Sequence, residues 1–170
     1  MDEPVQHAAR GTLRSDDGVG VVRIEAVVEA PADEAWRAVT EPGRLAQWLG
    51  EVDGDLREGG EWTGRFFPSG WDGAGRVLRC GPGRRFLVES AEPGGTPTTD
   101  ELELTPEGPD RTRVVVVKRG APLQWIAAFG VGVQLHVENL AAHLAGREPL
   151  DPDPFWAQLL PQYERLSAAL

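Results

Sequence analysis

One cysteine, one lysine, one tyrosine and no long apolar run set the first limits on this chain. Cys80 alone cannot form an intramolecular disulfide or a CxxC metal site. It ends the extended run "GRVLRC" before a Gly-Pro turn, with no evident activating neighbour, and reads as a small buried hydrophobe. No stretch approaches the roughly 18–20 apolar residues that span a bilayer. The opening "MDEPVQHAARG" is polar and acidic and has neither the basic nor the apolar region of a targeting signal, so the expected location is the cytoplasm. The net charge is −10, the wrong sign for a partner that tracks a phosphate backbone, so no nucleic acid is expected. The sequence has no GxSxG elbow, HExxH, Walker loop or dinucleotide fingerprint, and no cofactor is expected. Of the three histidines, His136 and His143 share a side of one helix but stand about 10 Å apart along it. That is too far for one metal ion, and no metal is expected.

What the chain does contain is period. Its 170 residues, 41% of them hydrophobic, suit one domain with one sizeable core. Residues 1–10 read as a flexible tail. "GTLRSDDGVGVVRIEAVVEA" reads as a hairpin turning at Asp16-Asp17-Gly18, with Val22, Ile24, Ala26 and Val28 on one face. "APADEAWRAVTEPGRLAQWLG" then predicts two short helices separated by Pro42, with one tryptophan on each. Trp36 is expected to brace the pair and Trp48 to close one end of a groove. From Glu51 to Lys118, short extended runs alternate with Gly/Pro turns, the pattern of an antiparallel meander with one dry face. The cover for that face is a helix over Pro122–Gly146. Its apolar stripe comprises Ile126, Phe129, Val133, Val137, Leu140 and Leu144. Gly130 and Gly132 inside it signal a bend or a close backbone approach. "REPLDPDP" reads as a linker, and a last helix follows with Pro161 kinking or splitting it.

This order resembles the START-like, or SRPBCC, superfamily, and within it the homologues of the activator of heat-shock-chaperone ATPase. "APADEAWRAVTEPGRLAQWLG" is similar to that family's helix pair, and "LHVENLAAHLAGREP" to its closing leucine pattern. The resemblance covers about residues 11–147, with residues 148–170 as a linker and helical extension. It implies an α+β helix-grip fold of the START and pollen-allergen type: a curved antiparallel sheet wrapped around a long helix, often with an apolar cavity between them. Members often have Gly-Trp where this chain has Gly132-Val133, which leaves more space at that end of the groove unless Trp125 or Phe129 fills it. The eukaryotic co-chaperones carry a further chaperone-binding domain that these 170 residues do not contain, so chaperone activation is not expected.

The aromatic residues carry the functional signal. Trp48, Trp62, Phe66, Phe86, Trp125 and Phe129, with Val133, His136 and Val137 of the long helix, are the candidate cavity lining. Such side chains serve equally as a pocket wall or as packed core; the resemblance favours the pocket. Three readings stay open. The first is binding of a small hydrophobic molecule. The second is a polyketide cyclase/aromatase-like or other enzyme on the same fold, using His136, Arg65 and Glu61. The third is a protein-interaction module, dimerising through Phe155, Trp156 and Tyr163 of the last helix.

Overall fold

The computed structural model describes residues 7–170. Alternating burial along the extended runs builds eight strands: β1 (Ala9–Asp16), β2 (Val19–Val28), β3 (Gly50–Gly54), β4 (Glu61–Phe66), β5 (Trp71–Gly81), β6 (Arg85–Ala91), β7 (Thr98–Gly108) and β8 (Arg111–Ala121). They form one antiparallel sheet in the order β1-β2-β8-β7-β6-β5-β4-β3. The first hairpin turns on Asp17 and Gly18, both at positive φ (50° and 82°), the two-residue geometry whose twist matches paired strands. Register shifts leave one extra residue in each of β5, β7 and β8, and such bulges bend a strand. β1 starts at Ala9, inside the segment expected to be a tail; residues 1–6 lie outside the described residues.

Between β2 and β3 the chain folds into α1 (Ala32–Thr40) and α2 (Pro42–Trp48). Pro42 occupies the start of α2, where a missing N–H costs nothing. The Trp48 indole donates to the Ala38 carbonyl at 2.9 Å, so Trp48 ties the pair together while Trp36 packs edge-on against Phe86. After β8, Leu123–Trp125 form a 3₁₀ turn, and the long helix α3 runs over Ile126–Leu144. It therefore starts four residues later than the periodicity predicts. Gly146, at φ 72°, ends it: Arg147 N–H reaches the Ala142 carbonyl and Gly146 N–H the His143 carbonyl. α4 (Pro152–Ala168) passes Pro161 without a break; Ala157, whose carbonyl loses its partner there, is an exposed residue. This is the helix-grip fold.

α3 is buried on two sides. One side meets β1, β2 and β8; the other meets α4 through Phe155, Leu159 and Tyr163. The last helix is thus core, and Phe155 and Tyr163 cannot form the dimer face expected of them. Three polar residues on α3 are buried and bonded. Gln134 donates to the Ala9 carbonyl and accepts from the Tyr163 hydroxyl. Glu138 accepts the Ala8 and Ala9 amides at 3.0 and 2.9 Å. Asn139 accepts the Leu150 amide at 2.9 Å. His143, one turn further on, is bonded by the Arg44 guanidinium at 3.2 Å, which pins α2 to α3.

Gly130 is where α4 approaches most closely: a methyl there would overlap the Tyr163 ring, whereas one at Gly132 would meet only Trp156 Cζ2, at an ordinary 3.9 Å. Intrinsic helix propensity favours alanine at both positions by up to ~1 kcal/mol. Gly130→Ala should instead destabilise the fold by about 1–3 kcal/mol through overpacking. Gly132→Ala should be neutral or stabilising, and urea unfolding of the two variants tests the contrast.

Candidate functional site

α3 packs chiefly on the β1, β2 and β8 side of the sheet, and the half formed by β4–β7 curls away from it. The space between is a cavity of about 360 Å³. Inward-facing side chains of each strand line it by the two-residue period: Trp62 and Phe66 from β4, Trp71 from β5, Phe86 and Val88 from β6, Leu102 from β7 and Val116 from β8. α3 contributes Phe129, Val133, His136 and Val137, and α2 contributes Trp48. The structure therefore brings eight of the nine expected lining residues to one cavity. The exception is Trp125. It sits in the 3₁₀ turn rather than on the helix, is 60% exposed and does not reach the lining.

One wall is a sheet of rings laid on glycine. Trp62 pairs across the ladder with Gly75, Gly64 with Gly73, and Phe66 with Trp71. A side-chain carbon at Gly75 would come within 2.6 Å of the Trp62 ring, and one at Gly73 within 2.6 Å of the Trp71 ring. The glycines let both indoles lie close to the backbone. Trp62 and Phe66 stack at 6.3 Å and 10°, and Trp71 closes on Phe66 at 4.7 Å.

Polar atoms gather in two places. Lys118, on the inward row of β8, is the cross-strand partner of Asp100. Its ammonium donates to Asp100 at 2.8 Å and to Thr98 at 3.1 Å, and lies 5.7 Å from the Phe129 ring centroid. His136 Nε2 meets the Ser69 hydroxyl at 2.9 Å, with the Phe66 ring edge-on at 5.5 Å. Burial, reinforced by the Lys118 charge, lowers His136 to about 3, so its imidazole is neutral at physiological pH and a feeble general base.

The other residues considered for chemistry stand elsewhere. Glu61 and Arg65 lie on the outer face of β4, paired with Arg76 at 3.0 Å and Asp72 at 3.7 Å. The outer face also carries Arg113, which is not one of the residues expected for an enzyme and is held by Glu25 and Glu107. Of the trio expected for an enzyme, only His136 faces the cavity. Cys80 is half-buried rather than buried, because β5 ends beside an open turn; burial and nearby Glu58 push its thiol pKa up, against nucleophilic use. Among the described residues no three His, Cys, Asp or Glu side chains converge on a metal position, and no helix is long and apolar enough to cross a membrane.

Sequence reasoning missed Lys118, Asp100, Ser69, Trp71 and Trp156 in the lining. For two of them a signal existed: Lys118 shares parity with buried Thr112 and Val114, and Asp100 with buried Thr98 and Leu104. A charge on an inward row marks a functional position or a buried pair.

Residues 29–145 match the family model "Activator of Hsp90 ATPase homolog 1-like protein". No curated protein matches the chain. Among solved structures it is similar to CalU16 from Micromonospora echinospora, with 27% identity and a TM-score of 0.76 over 96% of this chain and 98% of that one. It is also similar to DynU16, a protein in the dynemicin biosynthetic locus, with 28% identity and a TM-score of 0.66 over 79% of this chain and 49% of that one. EF2215 from Enterococcus faecalis shares the fold at 17% identity, with a TM-score of 0.75 over 95% of this chain and 92% of that one.

The His136 shift has a signed consequence. A histidine whose folded pKa lies below its ordinary 6.5 takes up a proton on unfolding as pH falls. Its contribution to stability is therefore complete above 6.5 and is lost progressively from there down towards 3. The His136 ring resonances should stay flat from roughly pH 8 to 5. Stability of His136→Asn should fall less with acid over that range than stability of the parent, as measured by urea unfolding at each pH.

Proposed function

The chain belongs to the family of activator of Hsp90 ATPase homolog 1-like proteins, and from that premise we propose that it binds a small hydrophobic molecule in the cavity between the sheet and α3. The observation that carries the reading is the cavity itself. About 360 Å³ of space is walled mainly by aromatic and aliphatic side chains, with few polar groups, chief among them the Lys118–Asp100 pair and the His136–Ser69 pair. Ligand pockets of this kind span about 300–1,000 Å³, with apolar walls that supply affinity and a few polar atoms that fix orientation. Burial of on the order of 300 Å² of apolar ligand surface at ~25 cal/mol per Å² supplies about 7 kcal/mol before the entropic costs of association. Trp62, Phe66, Trp71 and Phe129 would take the ligand's flat apolar body. The Lys118 and His136 positions would take a hydrogen-bonding oxygen at one end. The likeness to DynU16, named for a biosynthetic locus, is in keeping with a ligand made by dedicated biosynthesis.

Binding is favoured over catalysis by the state of the polar groups. A general base works best with a pKa near the operating pH, and His136 lies far below it. Lys118 is engaged by Asp100 and Thr98. With Glu61 and Arg65 outside, the His136 imidazole has only the Ser69 hydroxyl as its hydrogen-bond partner and no carboxylate beside it among the described residues to raise its basicity. The protein would act in the cytoplasm as a carrier or sequestering module.

The primary test is native mass spectrometry of the protein purified from its own host, which should reveal a co-purifying small molecule. In vitro, the protein should enhance the fluorescence of 1-anilinonaphthalene-8-sulfonate, and 4-hexylphenol should displace the dye. Phe129→Ala should weaken 4-hexylphenol by about tenfold, the loss expected for one ring of a pocket wall. Trp125→Ala should leave it unchanged. Equal affinities for parent and Phe129→Ala would overturn the assignment of this cavity.

A further inference from the structure

We propose that Trp156, on the C-terminal helix outside the matched segment 29–145, is a ligand-contacting residue that sets how long a molecule the cavity accepts. This rests on the cavity being a ligand site. Phe155, Leu159 and Tyr163 recur every fourth residue on α4 and point into the core, 4%, 2% and 3% exposed. They fix α4 rigidly: Tyr163 bonds buried Gln134 and fills the space left by Gly130. Trp156 is one position on, about 100° around the helix. Its ring is carried past the edge of α3 instead of under it. It passes α3 beside Gly132, where a methyl would meet Trp156 Cζ2 at an ordinary 3.9 Å, and joins Phe129 and Val133 in the cavity lining.

That placement gives the indole a role packing alone does not require. Leu160, the next residue on the same row, also packs against the core, yet it is not part of the cavity wall. Apart from Phe129, the lining residues in this stretch of α3 are small or medium: Ala128, Gly132 and Val133. Without α4 the cavity would open there. With it, the far wall is an aromatic face that an extended apolar ligand meets end-on. Val133 thus leaves room that a ring from outside the matched segment fills, rather than Trp125 or Phe129.

A series of 4-alkylphenols with lengthening chains, each measured by displacement of 1-anilinonaphthalene-8-sulfonate, reads this wall directly. In the parent protein each added methylene should tighten binding by about fourfold until the chain end reaches the indole, after which affinity levels off. Trp156→Ala should move that limit to chains longer by two or more carbons, whereas Leu160→Ala, which also loosens α4, should leave it in place. The indole N–H signal missing from Trp156→Phe, located in parent spectra, should shift on addition of 4-hexylphenol, which keeps the question open to test even if the alanine variant unfolds. Identical chain-length limits in Trp156→Ala and Leu160→Ala, with an unmoved indole signal, overturn the inference and leave the cavity reading intact. A parent protein that binds neither dye nor phenol sinks both.

Discussion

The burial of α3 between the sheet and α4 is the constraint from which the rest follows. A helix lying on a sheet normally leaves one face to solvent, and its polar residues go there. Here α4, the start of β1 and the linker at Leu150 cover further parts of the helix, so Gln134, Glu138 and Asn139 are enclosed. Enclosed polar groups cost several kcal/mol unless bonded, and each of these finds at least one partner outside the helix. Gln134 holds the start of β1 and the ring of α4, Glu138 holds two successive amides leading into β1, and Asn139 holds the linker. The polar side of the helix therefore specifies which parts of the chain close over it. Apolar packing alone would tolerate several alternatives.

The same constraint explains why a cavity exists. α3 is anchored towards β1, β2 and β8 by small contacts such as Ala9, Ala26 and Val22, and towards α4 by Tyr163 over Gly130. Being clamped there, it cannot follow the sheet as β4–β7 bend away, and the gap widens towards that half. Large rings partly fill it. They are supported by glycines in β4 and β5 that keep two indoles low against the backbone, so the rings form a lining while space remains in front of them. Trp48 closes the α2 end while its indole nitrogen is occupied by the Ala38 carbonyl; it acts as a rigid stopper.

Wherever the side-chain period matched a single burial environment, the sequence was readable. Val22, Ile24, Ala26 and Val28 alternate because β2 has one dry face, and the helix pair with its proline break followed from where a missing N–H is tolerated. Reading failed where two environments overlap on one element. The apolar stripe on α3 is visible, but the burial of its polar residues is not, because nothing local tells Glu138 in solvent from Glu138 beneath a β-strand terminus. Trp125 belonged to the helical period yet fell in the 3₁₀ turn that precedes it, so the rotation per residue differs and the ring points out. Lys118 and Asp100 were legible in principle as charges on inward rows; their pairing across the ladder is a matter of register, which strand composition does not supply. Trp156 depends on how a separate helix docks, the least local information of all.

The polar content of the cavity bears on what kind of recognition it performs. Lys118 and Asp100 cancel in charge, His136 is neutral, and Glu92, the remaining charged group of the lining, is exposed. Such a site offers hydrogen bonds without a strong field. Salt and ligand ionisation then matter less than shape, because the attraction comes from apolar area and a correctly placed oxygen. An inward lysine held by a partner is also ready to exchange bonds: a ligand oxygen can share the ammonium with Asp100 and Thr98 while the cation remains paired throughout. An unpaired buried charge would cost the free protein several kcal/mol. The Asp100 pairing removes that cost, so the cavity can stand open in a stable fold with an orienting donor already in place.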